Sequence, residues 1–240
     1  MHDSAQAFKA YRAARSAGFN NINLDIMHGL PEQSLAQGLD DLHQAIALSP
    51  EHLSWYQLTI EKNTVFYNSP PQLPVENILD NLFVEGLALL ERSQFYQYEV
   101  SAFARDGRYS RHNKNYWQFG DYLGIGAGAH GKITLANQQI IRRWKTRTPE
   151  DYLVKQDKVA GSQPIGRSEL ALEFMMNHLR LHEGFTKELF SQRTGLLFSE
   201  IGPKLIDLEK QELLEKVGPL YRPTIKGRLF LNNMIAHFDP

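Results

Sequence analysis

Three segments of this chain alternate apolar and polar residues with a period of two, and the stretches between them repeat with a helical period. In "NINLDIM", Ile22, Leu24 and Ile26 fall on one parity and Asn23, Asp25 and Met27 on the other, which reads as a strand. Ahead of it Phe8, Tyr11 and Ala14 lie at helical spacing, and Gly18 followed by Phe19 reads as a helix stop. After the turn "GLPEQS", Ser34 is placed to cap a second helix with Gln37 reaching back, and Leu35, Leu39, Leu42 and Ile46 form its buried stripe. The grammar recurs: "HLSWYQLTIE" reads as a strand, Ile78 to Leu90 as a helix through Leu79, Leu82, Phe83 and Leu87, and "YQYEVSAF" as a third strand. Strands separated by covering helices predict an α/β architecture with parallel strands. The first helix has no strand before it, as if the chain began partway through a repeating unit.

A parallel strand buried on both faces reads as a continuous apolar run. Here each strand keeps polar groups on one parity: Asn23 and Asp25; Gln57, Thr59 and Glu61; Glu99 and Ser101. These predict a barrel interior or sheet face that holds a polar ligand, the alternative being a solvated antiparallel face.

Composition narrows the functions open to the fold. With 240 residues, 42% of them hydrophobic, the chain can bury a core and is expected to hold one large domain and a smaller one. Lys+Arg number 26 against Asp+Glu 27, so the charge excess of a general nucleic-acid binder is missing and no nucleic-acid partner is expected. No apolar run approaches the roughly 20 residues that cross a bilayer, and "MHDSAQAFKAYRAARSAGF" lacks the apolar core of a signal peptide. A soluble, cytoplasmic protein is the expectation. The absence of cysteine excludes disulfides, thiolate catalysis and any cysteine-built zinc or iron–sulfur site within this chain.

Beyond about Ile141 the sequence turns polar, and "RRWKTRTPEDYLVKQDKVAGSQPIGR" reads as a connector. A helix bearing Leu170, Phe174, Leu179 and Leu181 follows, then two shorter helices around Lys187 to Arg193 and Ser199 to Leu208, then "YRPTIKGRLFLNNMIAHF" with a Lys-Gly turn in a small strand pair. The order resembles a winged helix. Its would-be recognition segment, "EIGPKLIDLEKQELLEK", is as acidic as it is basic, which favours a packing or lid module over a DNA-binding one.

The densest chemistry lies in "RHNKNYWQFGDYLGIGAGAHG", Arg111 to Gly131. Gly124, Gly126 and Ala129 satisfy G-x-G-x-x-A as text, yet the following "HGKITLANQQIIRRW" reads as strand and turn, against the helix that a dinucleotide fold requires. Glycines at alternate positions let a flat ring lie against backbone, or else let a strand pack closely. His112 precedes Tyr116 and Trp117 by four and five positions. Imidazole is an axial haem ligand, Tyr and Trp stack on a macrocycle, and Arg111 and Lys114 can meet carboxylates at its rim. His178 and His182 have the spacing of a zinc pair without its glutamate or third ligand and read as helix surface.

Taken in order, "NINLDIMHGLPEQS", "HLSWYQLTIEKNTVF", "YQYEVSAFAR", "HNKNYWQFGDYLGIGAGAHG" and "IKGRLFLNN" resemble the radical S-adenosylmethionine proteins related to oxygen-independent coproporphyrinogen III oxidase. H-N-x-x-Y-W followed by D-Y-x-G-I-G-x-G-A-H-G resembles that family's haem-chaperone branch. The resemblance implies the C-terminal part of a partial (β/α) radical-SAM barrel over residues 1–145, a connector over 146–166, and a mainly helical, winged-helix-like C-terminal domain over 167–240. It implies S-adenosylmethionine contacts at Asp25, Thr59, Gly126, Gly128, Ala129 and His130, and haem contacts at His112, Tyr116 and Trp117, with His112 as a ligand to the iron. The family's [4Fe–4S] cluster hangs from C-x-x-x-C-x-x-C, which has no counterpart here, and the Gly-Gly motif is missing too. The resemblance therefore implies a portion of a longer protein that does not itself cleave S-adenosylmethionine. Function is expected to be haem binding and transfer to a haem-accepting protein or respiratory enzyme, with peripheral membrane association. The alternatives are oxidative decarboxylation of coproporphyrinogen III and winged-helix nucleic-acid regulation.

Overall fold

α1 (Ser4–Ser16) forms over the predicted span and lays Tyr11 inward. The Tyr11 hydroxyl donates to the Leu48 carbonyl at 2.6 Å, and Arg15 grips both carboxylate oxygens of Glu51 at 2.9 and 2.8 Å. The structure, a computed structural model, describes residues 4–239. They fall into two compact units, divided between Tyr109 and Ser110.

In the first unit, β1 (Asn23–His28) leads to α2 (Leu35–Ala47), whose capping box is as predicted: Gln37 N donates to Ser34 Oγ at 3.3 Å while Ser34 N donates to Gln37 Oε1 at 2.9 Å. β2 (His52–Gln57) runs parallel to β1, with Asn23 beside His52 and Asp25 beside Ser54. After α3 (Val65–Asn68), α4 (Glu76–Arg92) packs with α2 on the sheet, burying Leu42, Leu53, Trp55, Leu82 and Leu90. Gly86 is what permits this approach: a Cβ there would overlap the Trp55 ring.

Two expectations fail in this unit. "YQYEVSAF" is a hairpin, β3 (Tyr96–Glu99) and β4 (Ala102–Ala104), and β4 pairs antiparallel with β2, giving the order β1-β2-β4-β3. Local side chains make the turn: Gln97 Nε2 donates to the Val100 carbonyl at 2.9 Å, and Glu99 Oε1 accepts from Ser101 N at 3.3 Å. Among the described residues of this unit, only β1 and β2 are parallel. β2 also stops at Gln57, because β1 turns away at Gly29 (φ 70°) and Leu58 N to the His28 carbonyl is the last rung. Thr59 consequently lies beyond the strand. At the other side the sheet ends in β1, an edge strand flanked by α1 and α2 across a groove of about 340 Å³.

The second unit opens with α5 (Arg111–Trp117) and continues into an antiparallel sheet of β5 (His130–Thr134), β6 (Ile140–Lys145) and β7 (Val159–Pro164), with α6 (Pro149–Val154) between β6 and β7. Residues 146–166, read as a connector, thus contain a helix and a strand. Their polarity reflects position: β7 is an edge strand with most of its residues exposed, so little apolar periodicity is required of it.

The remainder is winged-helix-like. α7 (Arg167–His178), α8 (Lys187–Thr194) and α9 (Gly202–Lys210) surround Phe174, Phe190 and Leu208, and β8 (Phe185–Thr186), β9 (Leu214–Val217) and β10 (Leu220–Pro223) form a sheet in the order β8-β10-β9. α10 (Ile225–Leu229) and α11 (Leu231–Ala236) close it. Lys226-Gly227 is therefore helical and not a hairpin turn. Thr224 caps α10 by accepting from Gly227 N at 2.9 Å, and a Cβ at Gly227 would overlap the Leu213 carbonyl. His178 corrects the surface reading: it is 1% exposed, stacked 4.2 Å from Phe174. Burial pushes its pKa down to about 3.

Candidate functional site

Parallel register puts Asn23, Asp25, His52 and Ser54 on one face of the first unit's sheet, opposite the face where Leu53 and Trp55 are buried. Direct bonds join them. Ser54 Oγ donates to Asn23 Oδ1 at 3.1 Å, His52 Nδ1 lies 2.6 Å from the same oxygen, and Asn23 Nδ2 donates to Asp25 Oδ1 at 2.9 Å. From the other side, the Tyr98 hydroxyl is 2.8 Å from His52 Nε2. His52 is 3% exposed, whereas Asp25 is open to solvent. Burial lowers the His52 pKa to about 4, against a weaker opposing pull from Asp25, so the ring is neutral at physiological pH.

The polar face is thus real, but its second strand was misassigned. Gln57, Thr59 and Glu61 do not build it; the even residues His52 and Ser54 do, because register with β1 decides which parity faces which way. The alternation of His52, Ser54 and Tyr56 with Leu53 and Trp55 carried that signal. Thr59 instead donates to Glu61 Oε1 at 2.9 Å, and Glu99 is buried at 3% exposure.

In the second unit, Ser110 caps α5 by accepting from Asn113 N at 3.2 Å, a helix start that apolar periodicity does not reveal. One turn apart on this helix, His112 and Tyr116 meet edge to face with ring centroids at 4.7 Å, and Tyr116 meets Tyr122 at 4.2 Å. His112 is exposed and Tyr116 half-buried. Trp117 packs elsewhere, under the Arg180 guanidinium at 4.3 Å. Lys114 pairs with Glu183 at 2.8 Å, which leaves Arg111 as the exposed cation of the first turn. The far end of α5 is fixed by Phe119 at φ 54°, whose carbonyl accepts from the buried Lys132 ammonium at 3.0 Å while that ammonium lies 4.0 Å over the Phe119 ring.

The glycine-rich segment leads directly into β5, as its sequence predicted. Tyr122 and Lys132 bridge through two backbone bonds of 2.9 and 3.0 Å. Gly124 packs on this bridge, where a Cβ would overlap the His130 carbonyl. Gly126 differs: its φ is 111°, and nothing lies within 4 Å of where a Cβ would stand. Donors in this segment are committed internally, Gly126 N to Tyr152 Oη at 3.1 Å, Gly128 N to the Thr146 carbonyl at 2.7 Å and Ala129 N to the Gly126 carbonyl at 3.3 Å. His130 stands exposed at the start of β5, 6.3 Å from the Trp144 ring. Among the described residues no group of three His, Asp or Glu is placed to hold a metal ion, and no helix is long and apolar enough to cross a membrane.

Comparison with known proteins agrees with this architecture. A solved structure titled "Coproporphyrinogen III oxidase (HemN) from Escherichia coli is a Radical SAM enzyme" superposes on 100% of the chain and 59% of its own length, with a TM-score of 0.76 at 18% identity. The α/β fold with a C-terminal domain is accordingly shared with that structure, and residues 166–230 match the HemN C-terminal domain. At the level of sequence the chain is 43% identical to "Heme chaperone HemW" of Escherichia coli (strain K12) over 99% of its own length, and 42% identical to the protein of that name from Haemophilus influenzae. Over nearly its whole length the chain is therefore similar to proteins named haem chaperones. The chain spans 63% and 62% of the length of those two relatives.

Proposed function

We propose that this chain belongs to a haem-binding and haem-transfer protein, in which His112 supplies an axial nitrogen to haem iron and Tyr116 lies against the macrocycle. The observation that carries the reading is the pairing on α5: an accessible imidazole seated on an aromatic ring one turn away, itself backed by Tyr122. A histidine nitrogen beside a flat aromatic ring is one arrangement that holds haem. Trp117, beneath Arg180, serves in this reading as support for α5. Arg111 is the cation available to a propionate. The 43% identity to proteins named haem chaperones favours this reading over porphyrinogen decarboxylation, since the likeness to HemN, at 18%, is one of fold.

S-adenosylmethionine fits the residues present in kind. In the first unit Asp25 offers an exposed carboxylate to ribose hydroxyls or the ammonium group. A [4Fe–4S] cluster does not fit, since no cysteine occurs in the 240 residues and thiolates hold such clusters. The haem is passed, in this proposal, to a haem-accepting protein or respiratory enzyme, in the cytoplasm and at the periphery of the membrane.

The test is haem titration of the full chain followed by its Soret band. His112→Ala is expected to shift the band and weaken binding by at least about tenfold, the loss that removing even an outer-shell partner of a metal ligand produces. An unchanged band with unchanged affinity would overturn the assignment of His112.

A further inference from the structure

We infer that Asn23, His52 and Tyr98 form a positioning relay that holds the Asp25 carboxylate in one orientation, with the buried imidazole as its anchor. The inference rests on the proposed role of Asp25 toward S-adenosylmethionine for its purpose, and on the hydrogen bonds alone for its existence.

The direction of every bond follows from the groups involved. Asp25 is a carboxylate and only accepts, so the Asn23 group facing it at 2.9 Å is the amide Nδ2. That fixes Asn23 Oδ1 toward His52 and Ser54, where it accepts from the Ser54 hydroxyl at 3.1 Å and from His52 at 2.6 Å. A carbonyl oxygen cannot donate, so His52 carries its proton on Nδ1. Nε2 is left as an acceptor, and the Tyr98 hydroxyl at 2.8 Å donates to it. The chain thus runs Tyr98 O–H to His52, His52 N–H to Asn23, Asn23 N–H to Asp25. Burial that keeps the ring neutral preserves this polarity, since an imidazolium would present a second donor to Tyr98.

Placement makes the relay useful. An exposed aspartate on an edge strand samples several rotamers, and orienting it on ligand binding costs free energy. Here the exposed end is tied through Asn23 to a ring that is 3% exposed and to Tyr98 at 7%, so orientation is set before a ligand arrives. Tyr98 comes from the β3–β4 hairpin, which explains what that hairpin contributes beyond closing the sheet. Asn23, His52 and Tyr98 are positioning residues and need not touch the ligand.

Two measurements on the full chain test the relay. In nitrogen-15 spectra at neutral pH, His52 is expected as a single neutral tautomer protonated at Nδ1, and Asp25→Asn is expected to shift the His52 ring nitrogens while Asp41→Asn does not. A proton on Nε2, or a ring blind to Asp25→Asn, overturns the relay. Calorimetric titration with S-adenosylmethionine reads its use: Asn23→Leu and Asp25→Asn should each weaken binding about tenfold, and the double variant no more than Asp25→Asn alone, because coupled residues are non-additive. Additive losses would mean that Asn23 acts by fold alone and would sink the positioning role. If Asp25→Asn leaves binding unchanged, the cofactor reading of Asp25 fails, and the ring spectrum still decides the relay.

Discussion

Gly124→Ala is the sharpest test of how the glycine-rich segment is built. The added methyl would stand 2.6 Å from the His130 carbonyl carbon, closer still to its oxygen, and 3.0 Å from the Ala129 carbonyl carbon. These are backbone atoms, so no rotamer change relieves the overlap and β5 must move away from residues 122–124. The movement breaks the Tyr122–Lys132 bridge, whose two hydrogen bonds contribute about 1 kcal/mol each, and overpacking adds about 1–3 kcal/mol. Taken together the cost is about 3–5 kcal/mol, or a fall in Tm of about 6–20 °C for a chain of this size. Because the two units need not melt together, amide exchange is the better assay: the Lys132 amide should exchange faster by about 100-fold or more, at about 1.4 kcal/mol per decade. Gly126→Ala is the internal control. It meets no atom within 4 Å and pays only for a non-glycine residue at φ 111°, about 1–2 kcal/mol, with Lys132 protection retained. Lys132 exchange unchanged in Gly124→Ala would refute the packing argument.

Other outcomes follow from the same structure. Arg15→Ala removes the paired bonds to Glu51 and those to the Phe19 and Ser49 carbonyls; α1 should loosen by about 1–2 kcal/mol, read as faster exchange confined to α1 and residues 17–22. His178 has a folded pKa near 3 against 6.5 when unperturbed, so the unfolded chain binds the extra proton and stability declines as pH falls below about 6.5, by about 1.4 kcal/mol per unit. At pH 5 its contribution has dropped by about 2 kcal/mol, and thermal melts of His178→Phe should show a shallower acid limb for the second unit. Gly86→Val should destabilise the first unit by about 3 kcal/mol or more, because its side chain must displace Trp55; a melt equal to that of the parent would contradict the close contact of α4 with the sheet.

What could be read in advance was whatever local periodicity encodes. α1, α2 and α4 were legible from apolar spacing, and the Ser34–Gln37 cap from its residue types alone. Strand direction was not, because "YQYEVSAF" alternates equally well as one parallel strand or as two halves of a hairpin, and the deciding bonds run from Gln97 and Glu99 to their own turn. The polar parity of β2 was misread since it depends on register with β1, a relation between segments. His178 sits in a helix whose polar neighbours disguise it, and only its packing on Phe174 and Phe185 shows it to be core. Lys226-Gly227 looked like a turn because glycine serves two purposes, turning a chain and allowing close contact, and the second applies. In the candidate site, Asp25 and the His112–Tyr116 pair were visible as residue types, whereas His52 and Tyr98 emerged only once β1, β2 and the hairpin were laid side by side.

The placement of β1 at the rim of its sheet affects how the chain behaves in concentrated solution. Amide and carbonyl groups along that rim form a ready template for another extended segment, and the side chains of Asn23 and Asp25 project out of the sheet plane, where they do little to repel an incoming strand. Handled alone, the chain is expected to form dimers or larger assemblies as its concentration rises. A charged or proline residue introduced along the rim, at a position whose N–H points outward, should keep it monomeric.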